Sequence, residues 1–396
     1  MSEVELVVVG GGVTGTAIAR DAALRGIKTI LVERGAIGSG TSGRFHSMLQ
    51  SGARYVVTDT DYAAECMRER RIMEQIAPFA RTATSGLFVA FEDDDPAFME
   101  RFENAASVAG IPIEKLTPAQ IAEREPNIAA TIGGFTVPDA VFRPWEMVPA
   151  LAASAIAAGA EILTHTTFVG AESVDGSVSA VRVRGADGHE WKIETASLVI
   201  AAGAWAAELG GTVGLDIEVE TAKGAMLVLP TEMVNTVVNR LRPPTSFDIS
   251  VPLNGATVFG TTSSIVERPE DIAVTPEEFD ELAIEARRFL PTLGQDTSGW
   301  SAYAGVRPLV KASPGEGGAV SRRHAVFEGT VDGAYGIVGG SFTTHRAMAE
   351  DVVNRVAALV GNPNPSTTAT TTLVSSATPA WAAGAPMQAH GIALAQ

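Results

Sequence analysis

The sequence predicts an α/β protein whose second part is α+β, and three observations carry that reading. The chain opens on a strand, a glycine-rich turn, a helix and a second strand within one compact unit. Helix and strand patterns then alternate as far as residue 164, and the stretch from 217 to 265 is mostly strand-like.

Each element follows from local chemistry. ELVVVG at 5–10 is a short β-branched run ending in glycine. VTGTAIARDAALRG at 13–26 has helical apolar spacing and closes on Gly26, and KTILVERG at 28–35 supplies the next strand. The stretch 35–55, GAIGSGTSGRFHSMLQSGARY, is rich in Gly and Ser and reads as a polar loop. An amphipathic helix is predicted over 60–77, a strand over 85–92, and a helix over 95–110 that ends on Gly110. TPAQIAERE at 117–125 begins a helix with Pro118 in its first turn. WEMVPALAASAIAAGAEILT at 145–164 reads as an Ala-rich helix running into a strand, followed by strands at 178–184 and 190–203 and a helix at 276–291. From residue 363 the sequence becomes polar and Ala/Thr/Pro-rich without periodicity, so 363–396 reads as a flexible or surface-draped tail.

Composition narrows the function. A chain of 396 residues with 46% hydrophobic content is long enough for two packed cores. No apolar run has the length of a membrane span, and the acidic start MSEVELVVVG enters a strand directly, so a cytoplasmic protein without an integral membrane segment is expected. The net charge of −17 argues against a nucleic-acid partner, whose phosphates need a concentrated basic face. An anionic substrate would instead require a few converging arginines. A lone cysteine, Cys66, leaves no intrachain disulfide and no cysteine-ligated metal or cluster, and reads as a small buried hydrophobe; no metal site is read.

Gly10, Gly12 and Gly15 fit G-x-G-x-x-G between strand and helix, with Glu33 at the end of the next strand, 18 residues past the last glycine. Glycines permit the tight turn and let backbone amides approach a pyrophosphate, while the acid accepts hydrogen bonds from a ribose. The motif marks a dinucleotide site but does not separate NAD from FAD. Three further segments favour FAD: the 35–55 loop in place of another β-α unit, ASLVIAAGAWAAELGG at 196–211, and GIVGGSFTTHRAMAED at 336–351.

Taken in order, GGGVTGTAIARDAALRG with ILVER, GTSGRFHSMLQSGARYVVTD, AKGAMLVLP, VFGTTSS, YAGVRPLV with VSRRH, and GGSFTTHRAMAED resemble the FAD-dependent glycerol-3-phosphate dehydrogenases, especially the flavin-carrying chain of the anaerobic type. The wider superfamily, which includes the D-amino-acid oxidases, shares the FAD-binding parts. The resemblance implies a discontinuous FAD-binding Rossmann-like domain (1–84, 145–215 and 330–362) with an inserted antiparallel-sheet substrate domain (85–144 and 216–329). It implies oxidation of a secondary alcohol of a polyol phosphate by hydride transfer to flavin N5; the alternative is a flavin oxidase or dehydrogenase of a hydroxy or amino acid. Implied cofactor contacts are Gly10, Gly12, Gly15, Glu33, Arg34, Thr41, Ser42, His46, Val169, Ala202, Gly203, Trp205, Gly339, Gly340, Ser341, Phe342 and Thr343. Arg54, Tyr55, Arg307 and Arg322 would bind an anionic substrate, phosphate or carboxylate, and His46, His345 and Arg307 are the catalytic candidates. The electron acceptor is left open among a quinone, an acceptor protein and dioxygen, and peripheral membrane association is compatible with the reading.

The chain also departs from that family's pattern. Ser341 stands where the family has lysine and His345 where it has tyrosine, and Arg143 is a candidate for the missing positive charge. The family's C-terminal domain has no counterpart in the short tail, so an iron–sulfur centre held by this chain is not expected.

Overall fold

A computed structural model describes residues 4–82, 85–311 and 322–373. The chain begins with β1 (Val4–Val9), α1 (Val13–Leu24) and β2 (Thr29–Val32), continues through β3 (Met48–Leu49) and α2 (Thr60–Ile76), and crosses to β4 (Gly86–Phe91). There follow α3 (Pro96–Ala109), β5 (Glu114–Leu116), α4 (Pro118–Arg124), β6 (Thr131–Val137) and β7 (Ala140–Val141). Next come α5 (Pro144–Ala157), β8 (Glu161–Leu163), β9 (Thr167–Val174), β10 (Ser177–Arg184), β11 (Glu190–Ile200) and α6 (Ala206–Gly211). A strand-rich stretch holds β12 (Val219–Leu229), β13 (Val237–Arg240), β14 (Ile249–Leu253), β15 (Ala256–Gly260) and β16 (Ser264–Ile265). The described chain closes with α7 (Pro276–Phe289), β17 (Ser301–Val310), β18 (His324–Glu328), β19 (Ala334–Gly339) and α8 (His345–Leu359).

Two large sheets organise these elements. The first runs β18-β19-β11-β1-β2-β8, with β10 and β9 extending from β11. Its centre is parallel, β1 lying between β2 and β11 and β11 also pairing with β19. Parallel strands buried on both faces need near-continuous apolar sequence, which VELVVV and ASLVI supply. Helices α1, α5 and α8 cover one face, closing a core that includes Leu6, Val8, Ile18, Leu151, Val352 and Val356. Strands β1, β11 and β19 are brought together from positions more than three hundred residues apart, so the two glycine clusters meet at one edge of this sheet.

The second sheet runs β16-β12-β15-β14-β13-β4-β6-β5, with β17 on the other side of β12. It is antiparallel except for the β13–β4 pair, which is parallel and joins the two separate chain segments that build the sheet. Helix α7 packs its apolar stripe of Leu282, Ala283, Ala286 and Phe289 onto it. That helix starts at Thr275 in a capping box with Glu278, and α4 repeats the device with Thr117 and Gln120. Helix α3 ends at Gly110 in the left-handed region, φ 67°, as the sequence predicts.

Between the two sheets, β3 pairs with β7 and ties the 35–55 loop to the segment before α5. Two details bear on the organisation read from sequence. β18 lies within the stretch 216–329 but pairs with β19 in the first sheet. In the tail, residues up to 373 are fastened to the helices: the Arg20 guanidinium donates to the carbonyls of Thr368 and Thr371, and Leu373 is buried. Residues 374–396 lie outside the described residues. No helix among the described residues is long and apolar enough to cross a membrane.

Candidate active site

The glycine turn is a matter of packing distances. Gly10 has φ 113°, and a Cβ there would lie 2.5 Å from the Ala201 carbonyl oxygen; a Cβ at Gly15 would lie 1.9 Å from the carbonyl oxygen of Gly10. The strand, the turn and α1 can approach one another this closely only without side chains. The first amide of α1, Val13 N, donates to the Ser42 hydroxyl at 2.9 Å, and a Cβ at Gly12 would press on the same oxygen. The Glu33 carboxylate accepts from Gly11 N at 2.6 Å and Gly35 N at 2.7 Å, which fixes its orientation at the end of β2. The positive end of α1 and an oriented carboxylate thus stand side by side.

Both features open into a cavity of about 740 Å³ between the two sheets. Its wall draws on the glycine turn, the loop from Ser39 to Gln50, Ala201–Trp205, Arg307–Leu309 and Ile337–Thr343. Arg34 and Trp205 are stacked, the guanidinium 4.3 Å from the ring centroid, and the Trp205 indole N–H donates to Glu270. Gly339 and Gly340 have φ 82° and 68°, and side chains there would collide with the Arg323 carbonyl and with Met348. Beyond them, Thr343 accepts from Gln50 N at 3.2 Å and Phe342 stacks on Phe45 at 4.7 Å, locking the start of α8 onto the 35–55 loop. A helix N-terminus bared by close-packed glycines, an acid held beside it and a long cavity are what FAD requires, so these residues fit the cofactor.

One part of the cavity is cationic. His46, Arg54, Tyr55, Arg307 and Arg322 all line it. Arg54 is anchored by Asp248, 3.0 Å, and by the Thr245 carbonyl, 2.8 Å. Arg307, on β17, lies across β12 at Gly224, where a Cβ would sit 2.2 Å from its Nη2, and donates to the Thr261 hydroxyl. This packing accounts for the glycine in AKGAML. Neither Arg307 nor Arg322 has a carboxylate partner among the described residues. Burial, reinforced by Arg322, lowers the Arg307 guanidinium to about 10. Burial, with Arg307 and Arg54 adding repulsion, lowers His46 to about 3, so its imidazole is neutral at physiological pH. Met48 N donates to His46 Nδ1 at 3.3 Å, which leaves the ring proton on Nε2.

Not every residue singled out from sequence reaches the cavity. Gly10, Gly12, Glu33, Arg34, Thr41, Ser42, Ala202, Gly203, Trp205 and Gly339–Thr343 line it. Gly15 stands behind the turn, and the wall includes Thr166–Phe168 but not Val169, the next residue of β9. His345 is absent from the wall: it is buried under the first turn of α8, with Nδ1 bonded to the Phe342 carbonyl at 2.6 Å, and burial lowers it to about 4. Arg143 supplies no charge to the cavity, being paired with Glu146 at 2.8 Å at the start of α5, and His324 is paired with Asp351. Cys66 is fully buried on α2, and burial pushes its thiol up to about 12, an inert side chain. Gln50 and Tyr62 are among the polar residues of the wall that escaped the sequence reading. Gln50 sits beside the SGARY segment, which is a signal of a kind; Tyr62 looks like one more apolar position of an amphipathic helix.

Comparison with known proteins agrees with this geometry. The family model described as FAD dependent oxidoreductase matches residues 5–355. The chain is 38% identical over 386 residues to a chain of the anaerobic glycerol-3-phosphate dehydrogenase of Escherichia coli (strain K12), covering 95% of this chain and 71% of that protein. The solved structure of the glycerol-3-phosphate dehydrogenase from Bacillus halodurans complexed with FAD matches with a TM-score of 0.76 at 25% identity, over 96% of this chain and 69% of that one. Glycine oxidase from Geobacillus kaustophilus shares the fold, with a TM-score of 0.73 at 23% identity, over 93% of this chain and 98% of that one. A match over nearly the whole first sheet and both glycine clusters, on a chain whose turn, acid and cavity fit the cofactor, means that this protein belongs to the FAD dependent oxidoreductase family.

Proposed function

We propose that the protein oxidises the secondary alcohol of a polyol phosphate, glycerol 3-phosphate or a close analogue, to the corresponding ketone. The observation that carries this is the pair of guanidiniums, Arg307 and Arg322, without a carboxylate partner among the described residues and sharing a cavity wall with Arg54 and Tyr55. Two like charges held without a counter-ion repel each other, and a doubly charged phosphate relieves that repulsion more than a carboxylate does. Likeness to the E. coli dehydrogenase supports the same reading.

When bound, FAD supplies the acceptor for the hydride that leaves the alcohol carbon. The chain's own residues do the rest. Arg307 and Arg322 hold the anionic end, and Arg54, fixed by Asp248, orients it. His46 is the nearby group suited to the hydroxyl proton. Its basicity is suppressed by the same arginines, so a bound phosphate that offsets their charge raises it. Accepting at Nε2 requires the ring proton to move to Nδ1, which gives up only the long Met48 contact. We place the protein in the cytoplasm, with or without peripheral membrane association, and the second half-reaction with a quinone, an acceptor protein or dioxygen.

Anaerobic bleaching of the bound flavin tests the reading against polyol phosphates, hydroxy acids and amino acids. Bleaching by a polyol phosphate is expected, with KM raised about 10- to 100-fold in Arg322→Ala, the cost of one charge-assisted contact. Bleaching by amino or hydroxy acids alone, or an unchanged KM for the phosphate in Arg322→Ala, would overturn it.

A further inference from the structure

The wall holds a buried polar group that neither the fold nor the mechanism uses. Tyr62, in the first turn of α2, is 1% exposed, and its hydroxyl is buried with no hydrogen-bond partner among the described residues. The helix does not need it: Asp59 caps α2 by accepting from the Tyr62 backbone amide at 3.0 Å, and the ring packs on Tyr55 at 5.5 Å. Its polar neighbours are uncharged. The Ser341 hydroxyl and the Cys66 thiol approach it as hydrogen-bonding neighbours, but neither completes a well-formed hydrogen bond to it. Buried hydroxyls are nearly always paired, because leaving one unpaired forfeits its hydration without return. A phenylalanine would fill the same space without that cost. An orphaned hydroxyl in the wall of a ligand cavity therefore points to a ligand that completes it.

We infer that Tyr62 is a ligand-binding residue of this site, whose hydroxyl donates a hydrogen bond to an uncharged oxygen of the bound ligand. The chemistry shared by the possible ligands is a neutral oxygen acceptor, either a carbonyl of the flavin or a hydroxyl of the polyol substrate. Donation suits the environment, since burial raises the Tyr62 phenol well above its ordinary value and keeps it protonated. The main influences on Tyr62 among the described residues are burial, Cys66, Tyr55 and Ser341, whereas Tyr55 faces Arg307 in the wall of Arg54, Arg307 and Arg322. The cavity thus divides labour: guanidiniums for the anion, Tyr62 for a neutral oxygen. The inference rests on the reading of this cavity as the flavin and substrate site.

The test is Tyr62→Phe in the full chain, read in two arms that need no electron acceptor. In the first, apoprotein is titrated with FAD and the midpoint potential of the bound flavin is measured. In the second, the FAD-loaded protein is titrated anaerobically with glycerol 3-phosphate and with inorganic phosphate, following the flavin spectrum. If the acceptor is the flavin, the variant binds FAD about 3- to 10-fold more weakly or shifts its potential, with phosphate binding intact. If it is the substrate, the variant loses about 3- to 10-fold for glycerol 3-phosphate but nothing for inorganic phosphate. The melting temperature of the apoprotein is expected to be unchanged or higher. FAD affinity, potential and glycerol 3-phosphate affinity all at wild-type values would overturn the inference, as would a loss confined to melting temperature. A wild-type protein that binds FAD but no polyol phosphate refutes the substrate reading alone, and the FAD arm still decides on Tyr62.

Discussion

At the scale of single residues, two histidines that look alike in sequence have opposite fates. His46 and His345 both lie in segments that meet the cavity, yet only His46 lines it. Sequence spacing places a residue on an element but does not say which side of it a ring occupies; one helical turn buries His345 behind Phe342. The same limit hid Tyr62, whose position on α2 reads as core and whose hydroxyl proves to be unpaired. Burial of His345 has a thermodynamic consequence. The unfolded chain takes up its proton near 6.5, whereas the native ring does so only near about 4. Between those values the unfolded state binds more protons, so stability is full above that window and falls as pH drops through it. His345→Gln is expected to flatten the decline in urea midpoint between pH 6.5 and about 4 while leaving substrate KM unaltered. Equal slopes in the two proteins would show that His345 is not the group responsible.

At the scale of elements, what was legible is what is local. The opening β-α-β unit needs three glycines, a β-branched run and one acid, all within 33 residues, and each has a steric reason visible in the turn. Helices α3, α4 and α7 announce themselves by caps, Pro at the first turn and Gly110. Strands β6 and β17 were not legible, because long-range pairing makes them. TIGGFTV carries two glycines, and SAYAGVRPLV contains Pro308, tolerated because β17 pairs on one side only, with β12. Yet β17 carries Arg307, so the anion site depends on an element that the local strand pattern did not signal. The glycine turn yields a sharp expectation. In Gly15→Ala the new Cβ and the Gly10 carbonyl cannot coexist at 1.9 Å, so α1 must move off β1 and withdraw its amides from the pyrophosphate position. The variant is expected to fold but purify without flavin, measured as bound FAD per protein. Full flavin content with wild-type FAD affinity would mean that the turn does not cradle the cofactor.

At the scale of the whole molecule, the cavity lies where two independently packed cores meet. The first sheet and its helices form one core, the second sheet with α7 another, and the chain passes between them several times. Across the gap, the wall facing the glycine turn comes from β17 and the segments around Thr245 and Thr261. Direct bonds that bridge there include those donated by Thr41 to the Val306 carbonyl at 2.6 Å, by Tyr303 to the Phe45 carbonyl at 3.0 Å and by Arg54 to the Thr245 carbonyl at 2.8 Å. A cofactor filling this space touches both cores, so its binding energy acts as coupling between them, available only in the native arrangement. Ligand that binds the folded state alone stabilises it by RT ln(1 + [L]/Kd), about 2.7 kcal/mol at a hundredfold excess over Kd. The melting temperature is therefore expected to rise with the logarithm of free FAD concentration. Hydrogen exchange should slow on loading both in 337–343 of the first sheet's edge and in 244–249 and 261–263 of the second. Protection limited to the glycine turn and 337–343 would show that the cofactor is held by the first sheet alone, and that the second moves independently of it.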